Sequence, residues 1–132
     1  TILVGCRGSV GEFQISRPKS FVTNNAFSIV PHHEADFFWL YHALRQRGLK
    51  DIVGGSAQPQ ITLAGMSSVL LPCPEAPQRA AFGSAVRPMY GLIWNVSEAN
   101  DRLSASRDLL LPRLISGELA LSAAERALEG TA

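Results

Sequence analysis

Hydrophobic and polar positions divide the chain into a strand-like first third, one short amphipathic helix, a punctuated middle and a helical last third. Thr1 to Val4 is an apolar run, and Arg7-Gly8-Ser9-Val10-Gly11 is a glycine-spaced turn. Phe13 and Ile15 then alternate with Glu12 and Gln14, the period of a half-buried strand. Arg17-Pro18-Lys19-Ser20 reads as a turn, Phe21-Val22-Thr23 as a strand, Asn24-Asn25 as punctuation and Ala26 to Val30 as another strand. Phe37, Leu40, Tyr41 and Leu44 fall at i, i+3, i+4 and i+7 and predict a helix. Glu34 and Asp36 stand at its start, Arg45 and Arg47 at its end, and Gly48 is placed to cap it.

From Leu49 to Pro74 glycine and proline interrupt every pattern. Leu63 to Ser67 predicts one helical turn, Val69-Leu70-Leu71 a strand, and Pro72-Cys73-Pro74 a boundary. Gln78 to Val86 is helix-compatible, and Pro88 is expected to kink or interrupt that helix. Beyond Met89, Leu92, Val96, Ala99, Leu103 and Leu110 occupy heptad positions, with Ser106 in the remaining slot. Pro112 is expected to open a new short turn that Gly117 ends. Glu118 to Leu121 reads as a last strand, and Ser122-Ala123-Ala124-Glu125 as a capping box on a fraying tail. The expected architecture is α+β: a small β-rich domain over residues 1–74, a long coiled-coil-forming helical arm over 75–117, and a strand or tail over 118–132.

The 132 residues suit one domain with an appendage, and 46% apolar residues suffice for a core. Charged residues, at 17%, are sparse for a soluble protein and suggest surface that a partner covers. A net charge of +1 argues against a uniformly basic nucleic-acid binder. The cations are nonetheless ten Arg against two Lys, and arginine suits bidentate contact with phosphate or guanine. Cys6 and Cys73 form no Cys-x-x-Cys pair and read as reduced thiols of a cytoplasmic protein. No apolar run nears the ~20 residues a membrane helix needs. The chain starts within a strand pattern and without Met, which reads as a cut inside a domain.

His32, His33, Glu34 and Asp36 form the one cluster that looks like metal ligands, but adjacent helix positions do not share a face, and a solvated helix start accounts for them. Arg7 to Gly11 lacks the Gly-Lys-Ser/Thr ending of a phosphate loop. As a tight turn it still presents backbone donors and Arg7 to a DNA phosphate. Asn24 and Asn25 suit adenine edges, although Asn is also common in turns for conformational reasons. The heptad stripe needs another helix, or else packs back on its own domain.

Four segments, in order, resemble the target-recognition domain and following helix of type I restriction-modification DNA specificity subunits. They are Leu3 to Gly11; Phe21 to Val30 with Thr23-Asn24-Asn25; Gly55-Ser56-Ala57-Gln58-Pro59-Gln60-Ile61 followed by Leu70-Leu71-Pro72-Cys73-Pro74; and Arg107 to Leu119 with Leu111-Pro112-Arg113-Leu114-Ile115-Ser116-Gly117. The third is the most diagnostic, similar to the family's Gly-Ser-x-Gln-Pro turn. Two departures stand out: Pro74-Glu75-Ala76-Pro77-Gln78 replaces a Pro-x-x-Glu-Gln helix start, and Pro88 and Gly91 fall within a helix that is typically continuous.

The resemblance implies the later half of a second recognition domain plus the last helix, with sequence-specific duplex DNA recognition and no catalysis. S-adenosylmethionine, Mg and ATP are implied only for the methyltransferase and restriction/translocase partner subunits. Arg7, Arg17 and Lys19 are the expected phosphate contacts. Asn24, Asn25, Gln58 and Gln60 are candidate base readers or supports, Ser9 is a further DNA-binding candidate, and Leu92, Val96, Ala99, Leu103 and Leu110 are the helix-packing seam. A homodimer through the arm is a further expectation. Rival readings are a protein-interaction or oligomerisation module without DNA reading of its own, and an enzyme built on His32 and His33.

Overall fold

The computed structural model describes residues 1–17 and 19–118. The described residues fall into two units, one over residues 1–88 and one that starts at Met89. The first contains a three-stranded antiparallel sheet of β1 (Ile2–Gly5), β2 (Phe13–Ile15) and β3 (Ala26–Ile29), in the order β2-β1-β3. Val4 pairs with Phe13 on one side and Phe27 on the other; Ile2 pairs with Ile15 and Ile29. The pleat therefore sends Ile2, Val4, Phe13, Ile15, Phe27 and Ile29 to one face, and Leu3, Gln14 and Ser28 to the other.

Ile2, Val4 and Cys6 are buried, as are Phe38, Tyr41, Leu44, Leu49 and Ile61, and these make the core. Phe38, Tyr41 and Leu44 belong to α1 (Phe37–Arg47), one turn apart along its inward stripe. The predicted stripe is thus rotated slightly: Phe37 and Leu40 are only half-buried. A 3-10 turn, Glu34–Asp36, leads into the helix, and Gly48 ends it by donating its N–H to the Leu44 carbonyl at 2.9 Å.

Phe21-Val22-Thr23, expected as a strand, is a loop with Phe21 90% exposed. The segment joins neither outer edge of the sheet, which ends at β2 on one side and β3 on the other. Val69-Leu70-Leu71 is likewise irregular, and Leu70 is 84% exposed. The punctuated middle instead holds a two-stranded hairpin, β4 (Val53–Gly54) with β5 (Gln60–Ile61), whose strands are too short to show a period. Its turn depends on Gly55: φ is +89°, and a Cβ there would lie 2.4 Å from the Gln58 carbonyl oxygen. This is the physical content of the Gly-Ser-x-Gln-Pro stretch. The expected helical turn is present as α2 (Leu63–Ser67), where the Thr62 hydroxyl accepts from the Gly65 N–H at 3.1 Å.

α3 (Ala76–Ile115) begins in the first unit, where three positions at four-residue spacing meet the start of α1. Arg79 donates from Nε and Nη2 to both carboxylate oxygens of Asp36 at 2.7 and 3.2 Å. Gly83 is buried, and a Cβ on it would sit 2.9 Å from the Ala35 carbonyl oxygen. Arg87 pairs with Glu34 at 3.2 Å and lies over the Phe38 ring. Arg79 also lies 5.4 Å over the Trp39 ring and donates to the Pro74 carbonyl and the Cys73 sulfur. Its hydrogen bonds to Asp36 hold that carboxyl below the ordinary range against the opposing effect of burial.

The helix runs through Pro88 and Pro112 without interruption, contrary to the expected break at the first and new turn at the second. Each proline forfeits one helical hydrogen bond, to Ser84 and Asp108 respectively. All four residues are exposed, so water can take the freed carbonyls. The end falls as expected: Gly117, φ +77°, donates to the Leu114 carbonyl. Glu118 is a bend; the rest of the predicted last strand and the capping box lie outside the described residues. In the second unit Leu92, Val96 and Leu103 are 65%, 51% and 68% exposed; Ala99 is exposed and Leu110 half-buried. Among the described residues no helix is long and apolar enough to cross a membrane.

Candidate nucleic-acid interface

Three loops converge on the residues that follow β1. The Gly5 N–H donates to the Glu12 carbonyl and the Gly11 N–H to the Gly5 carbonyl, each at 2.9 Å, which closes the β1–β2 turn. The Ser9 carbonyl crosses so close to Gly5 that a Cβ there would lie 2.0 Å from its oxygen. The N–H groups of Cys6 and Arg7 both donate to the Asn25 carbonyl, at 2.8 and 3.2 Å. From the third side the Ile61 N–H donates to the Cys6 carbonyl at 3.0 Å, and Arg7 forms an antiparallel bridge with Gln60. The Cys6 side chain points inward and donates to the Asn24 carbonyl, while Arg7 is exposed.

Side chains follow the same convergence. Arg7 Nε donates to Gln60 Oε1 at 3.4 Å, a long bond at an exposed site. Asn25 is anchored by its N–H to the Thr23 hydroxyl, also at 3.4 Å. A shallow hollow of about 390 Å3 lies here, lined by Arg7, Ser9, Glu12, Gln14, Thr23 and Asn25 together with sheet backbone. It offers donors, acceptors and both signs of charge within one concavity.

The structure thus brings Arg7, Ser9, Asn24, Asn25 and Gln60 to the Gly5 end of β1. Gln58 is exposed in the adjoining hairpin turn. Arg17 and Lys19 belong to the opposite end. The Ser16 N–H donates to the Thr1 carbonyl at 2.9 Å, and the Arg17 carbonyl accepts from the Ser20 hydroxyl at 2.8 Å. Lys19, at φ +61°, completes that turn, and both cations are exposed. Sequence reasoning passed over Glu12, Gln14 and Thr23. The alternation of β2 was the signal: with Phe13 and Ile15 inward, residues 12 and 14 face outward.

The His32/His33 cluster is taken apart by the fold. Its carboxylates, Glu34 and Asp36, pair with Arg87 and Arg79. Among the described residues no group of three His, Cys, Asp or Glu is placed to hold a metal ion. A second hollow, about 830 Å3, is lined by Trp39, His42, Arg45, Phe82, Pro72 and Pro74 among others. Burial pushes the His42 pKa down, and Arg45 adds to the effect. Cys6 and Cys73 are both free.

The family model described as "Type I restriction modification DNA specificity domain" matches residues 1–81, which include the whole convergence at β1. The chain is also similar to the type I restriction enzyme HindI specificity subunit of Haemophilus influenzae, 31% identical over 124 residues. That alignment takes in 90% of this chain and 27% of the relative, so the chain spans about a quarter of that protein's length. No solved structure matches the chain. With a match that covers well over half of its residues, the chain belongs to the type I restriction modification DNA specificity domain family.

Proposed function

We propose that this chain is a duplex-DNA-reading part of a type I specificity subunit and has no chemistry of its own. Methylation and cleavage would be done by methyltransferase and restriction/translocase subunits, which would carry the S-adenosylmethionine, Mg and ATP. Residues 1–74 would be part of a recognition domain, 75–117 the helical arm and 118–132 a terminal strand or tail, in the cytoplasm. The observation that carries this reading is the convergence of three loops on Arg7, with exposed Arg, Asn and Gln side chains, inside the family-matched segment. Arg17 and Lys19 set register on phosphates; Ser9, Asn24, Asn25, Gln58 and Gln60 face base edges or support the loops that do. The test is selection from random duplexes by the complete subunit with its methyltransferase partner. A split motif is expected, and purely salt-controlled, indiscriminate binding refutes the reading. Substituting Arg17 and Lys19 should lower the salt slope by about one per lost phosphate contact.

The exposed apolar positions of α3 favour a second reading, in which Leu92, Val96, Ala99, Leu103 and Leu110 dock on another helix. That helix belongs to the same subunit, to a partner or to a second copy in a homodimer. Light scattering with and without DNA separates association through the arm from association on DNA.

A further inference from the structure

We propose that Arg7, propped by Gln60, reads a guanine in the major groove, and that this contact gives one position of the target its identity. The inference rests on the DNA-reading role above and specifies its chemistry. Along β1 alternate residues face out, so Arg7 follows Leu3 and Gly5 onto the outward face while Cys6 turns into the core. Residues directly opposed in an antiparallel bridge present their side chains on the same side, and the Arg7–Gln60 bridge does so here. Gln60 Oε1 accepts from Arg7 Nε. With Nε engaged, the fork's remaining end is the Nη1/Nη2 pair, which matches two acceptors side by side. On duplex DNA those are guanine O6 and N7, or two phosphate oxygens.

The hollow decides between them. Glu12 lines it together with Arg7, and Gln14, Ser9, Thr23 and Asn25 add neutral groups that both donate and accept. A phosphate brought there would meet a carboxylate. A base pair carries no formal charge, and the cytosine amino group opposite a guanine is a donor that a carboxylate can accept from. The Arg17 turn has the contrary composition, Ser16-Arg17-Pro18-Lys19-Ser20, with no acid. Phosphate grip and base reading therefore fall at opposite ends of β1, and Arg7 moves from the first role, expected from sequence, to the second. The Gln60 prop restrains a long side chain before DNA arrives, which lowers the ordering cost of the contact.

The experiment uses the complete specificity subunit with its methyltransferase partner and a random duplex pool. Wild type should select a motif containing at least one guanine whose identity depends on Arg7. Arg7→Ala should flatten that position alone, by roughly ten- to a hundredfold, while other positions and the salt slope hold. Replacing that guanine by 7-deazaguanine, which lacks the N7 acceptor, should weaken wild-type binding and leave Arg7→Ala unaffected. Gln60→Ala should soften the same preference and Gln60→Glu, which keeps the acceptor, should retain it; circular dichroism checks that each variant is folded. The proposal is overturned if Arg7→Ala weakens all sequences equally and lowers the salt slope by about one, the signature of a phosphate contact. It is overturned as well if the motif is unchanged. A wild-type complex that selects no motif overturns it together with the DNA-reading role, an outcome distinct from selection that ignores Arg7.

Discussion

Gly83 offers the sharpest test of how the long helix meets the head, because two opposing effects of similar size act on one methyl group. In an exposed helix, Gly→Ala stabilises by about 1 kcal/mol, since alanine has less backbone freedom to lose. At Gly83 the added Cβ would stand 2.9 Å from the Ala35 carbonyl oxygen, a backbone atom that cannot swing aside. Relief requires the helix and the Glu34–Asp36 turn to part by a few tenths of an ångström. Overpacking of this kind costs roughly 1–3 kcal/mol, and the Arg79–Asp36 and Arg87–Glu34 pairs flank the position one turn to either side. The net expectation for Gly83→Ala runs from no gain to a loss of about 2 kcal/mol. Gly91 supplies the control within the same helix, with no atom within 4 Å of its would-be Cβ. Gly91→Ala should show the full gain of about 1 kcal/mol. Urea titrations of the intact chain, read as helix content at 222 nm and as tryptophan fluorescence, compare the two. If Gly83→Ala stabilises as much as Gly91→Ala, α3 does not lie against Ala35 and the seam of residues 79, 83 and 87 is wrong.

Three further outcomes are expected. Gly5→Ala should destabilise by more than about 2 kcal/mol, because its Cβ would fall 2.0 Å from the Ser9 carbonyl oxygen; a urea midpoint within error of wild type contradicts the turn geometry. Asp36 is held below its ordinary 3.8 chiefly by its hydrogen bonds to Arg79, so its contribution is complete above that value and disappears as pH falls through the lower folded-state value. Trp39 fluorescence, reporting the arginine stacked on it, should show an acid transition below pH 3.8 that Asp36→Asn removes; an identical acid profile in the variant counts against the pair. Lys19→Gly should raise stability by about 1 kcal/mol by relieving a left-handed backbone, yet weaken binding of the complete complex to DNA; unchanged affinity removes Lys19 from the phosphate contacts.

What the sequence disclosed follows from how many residues carry each signal. The strand at Ile2 is legible as an apolar run, that at Phe13 by its alternation and that at Ala26 by the turn residues around it, and α1 announces its apolar stripe and its glycine cap. The β4–β5 hairpin shows no period, because two-residue strands have none; its mark is the Gly55-to-Gln60 turn stretch, whose need for glycine is visible once Gln58 is seen to cross it. Phe21-Val22-Thr23 misled because propensity supplies no pairing partner: the segment joins neither outer edge of the β2-β1-β3 sheet. Pro88 misled for the opposite reason, since the cost of a helix proline is local and an exposed turn absorbs it. The clustering of Arg7 with Gln60, and its separation from Arg17, depend on long-range pairing between segments far apart in the chain, which no local pattern encodes.

Under the proposed DNA-reading role, the manner in which the loops are fastened would let one scaffold carry different reading residues. Asn25 holds Cys6 and Arg7 through its carbonyl, Cys6 holds Ile61 through its own, and Gly5 exchanges backbone bonds with Glu12 and Gly11. These attachments are made by main chain, while the buried set, from Ile2 to Ile61, lies on the inward face and includes none of the candidate readers. Side chains at 7, 9, 25 and 58, all exposed, can therefore change identity with folding costs inside about 0.5 kcal/mol, the usual range for such positions. The backbone that aims them stays tied to Gly5 and Gly55, where a single methyl has no room. In the proposed role, recognition and stability would fall on different atoms of the same strand end, so substitutions at the exposed positions should alter which duplex is bound before they alter whether the head folds.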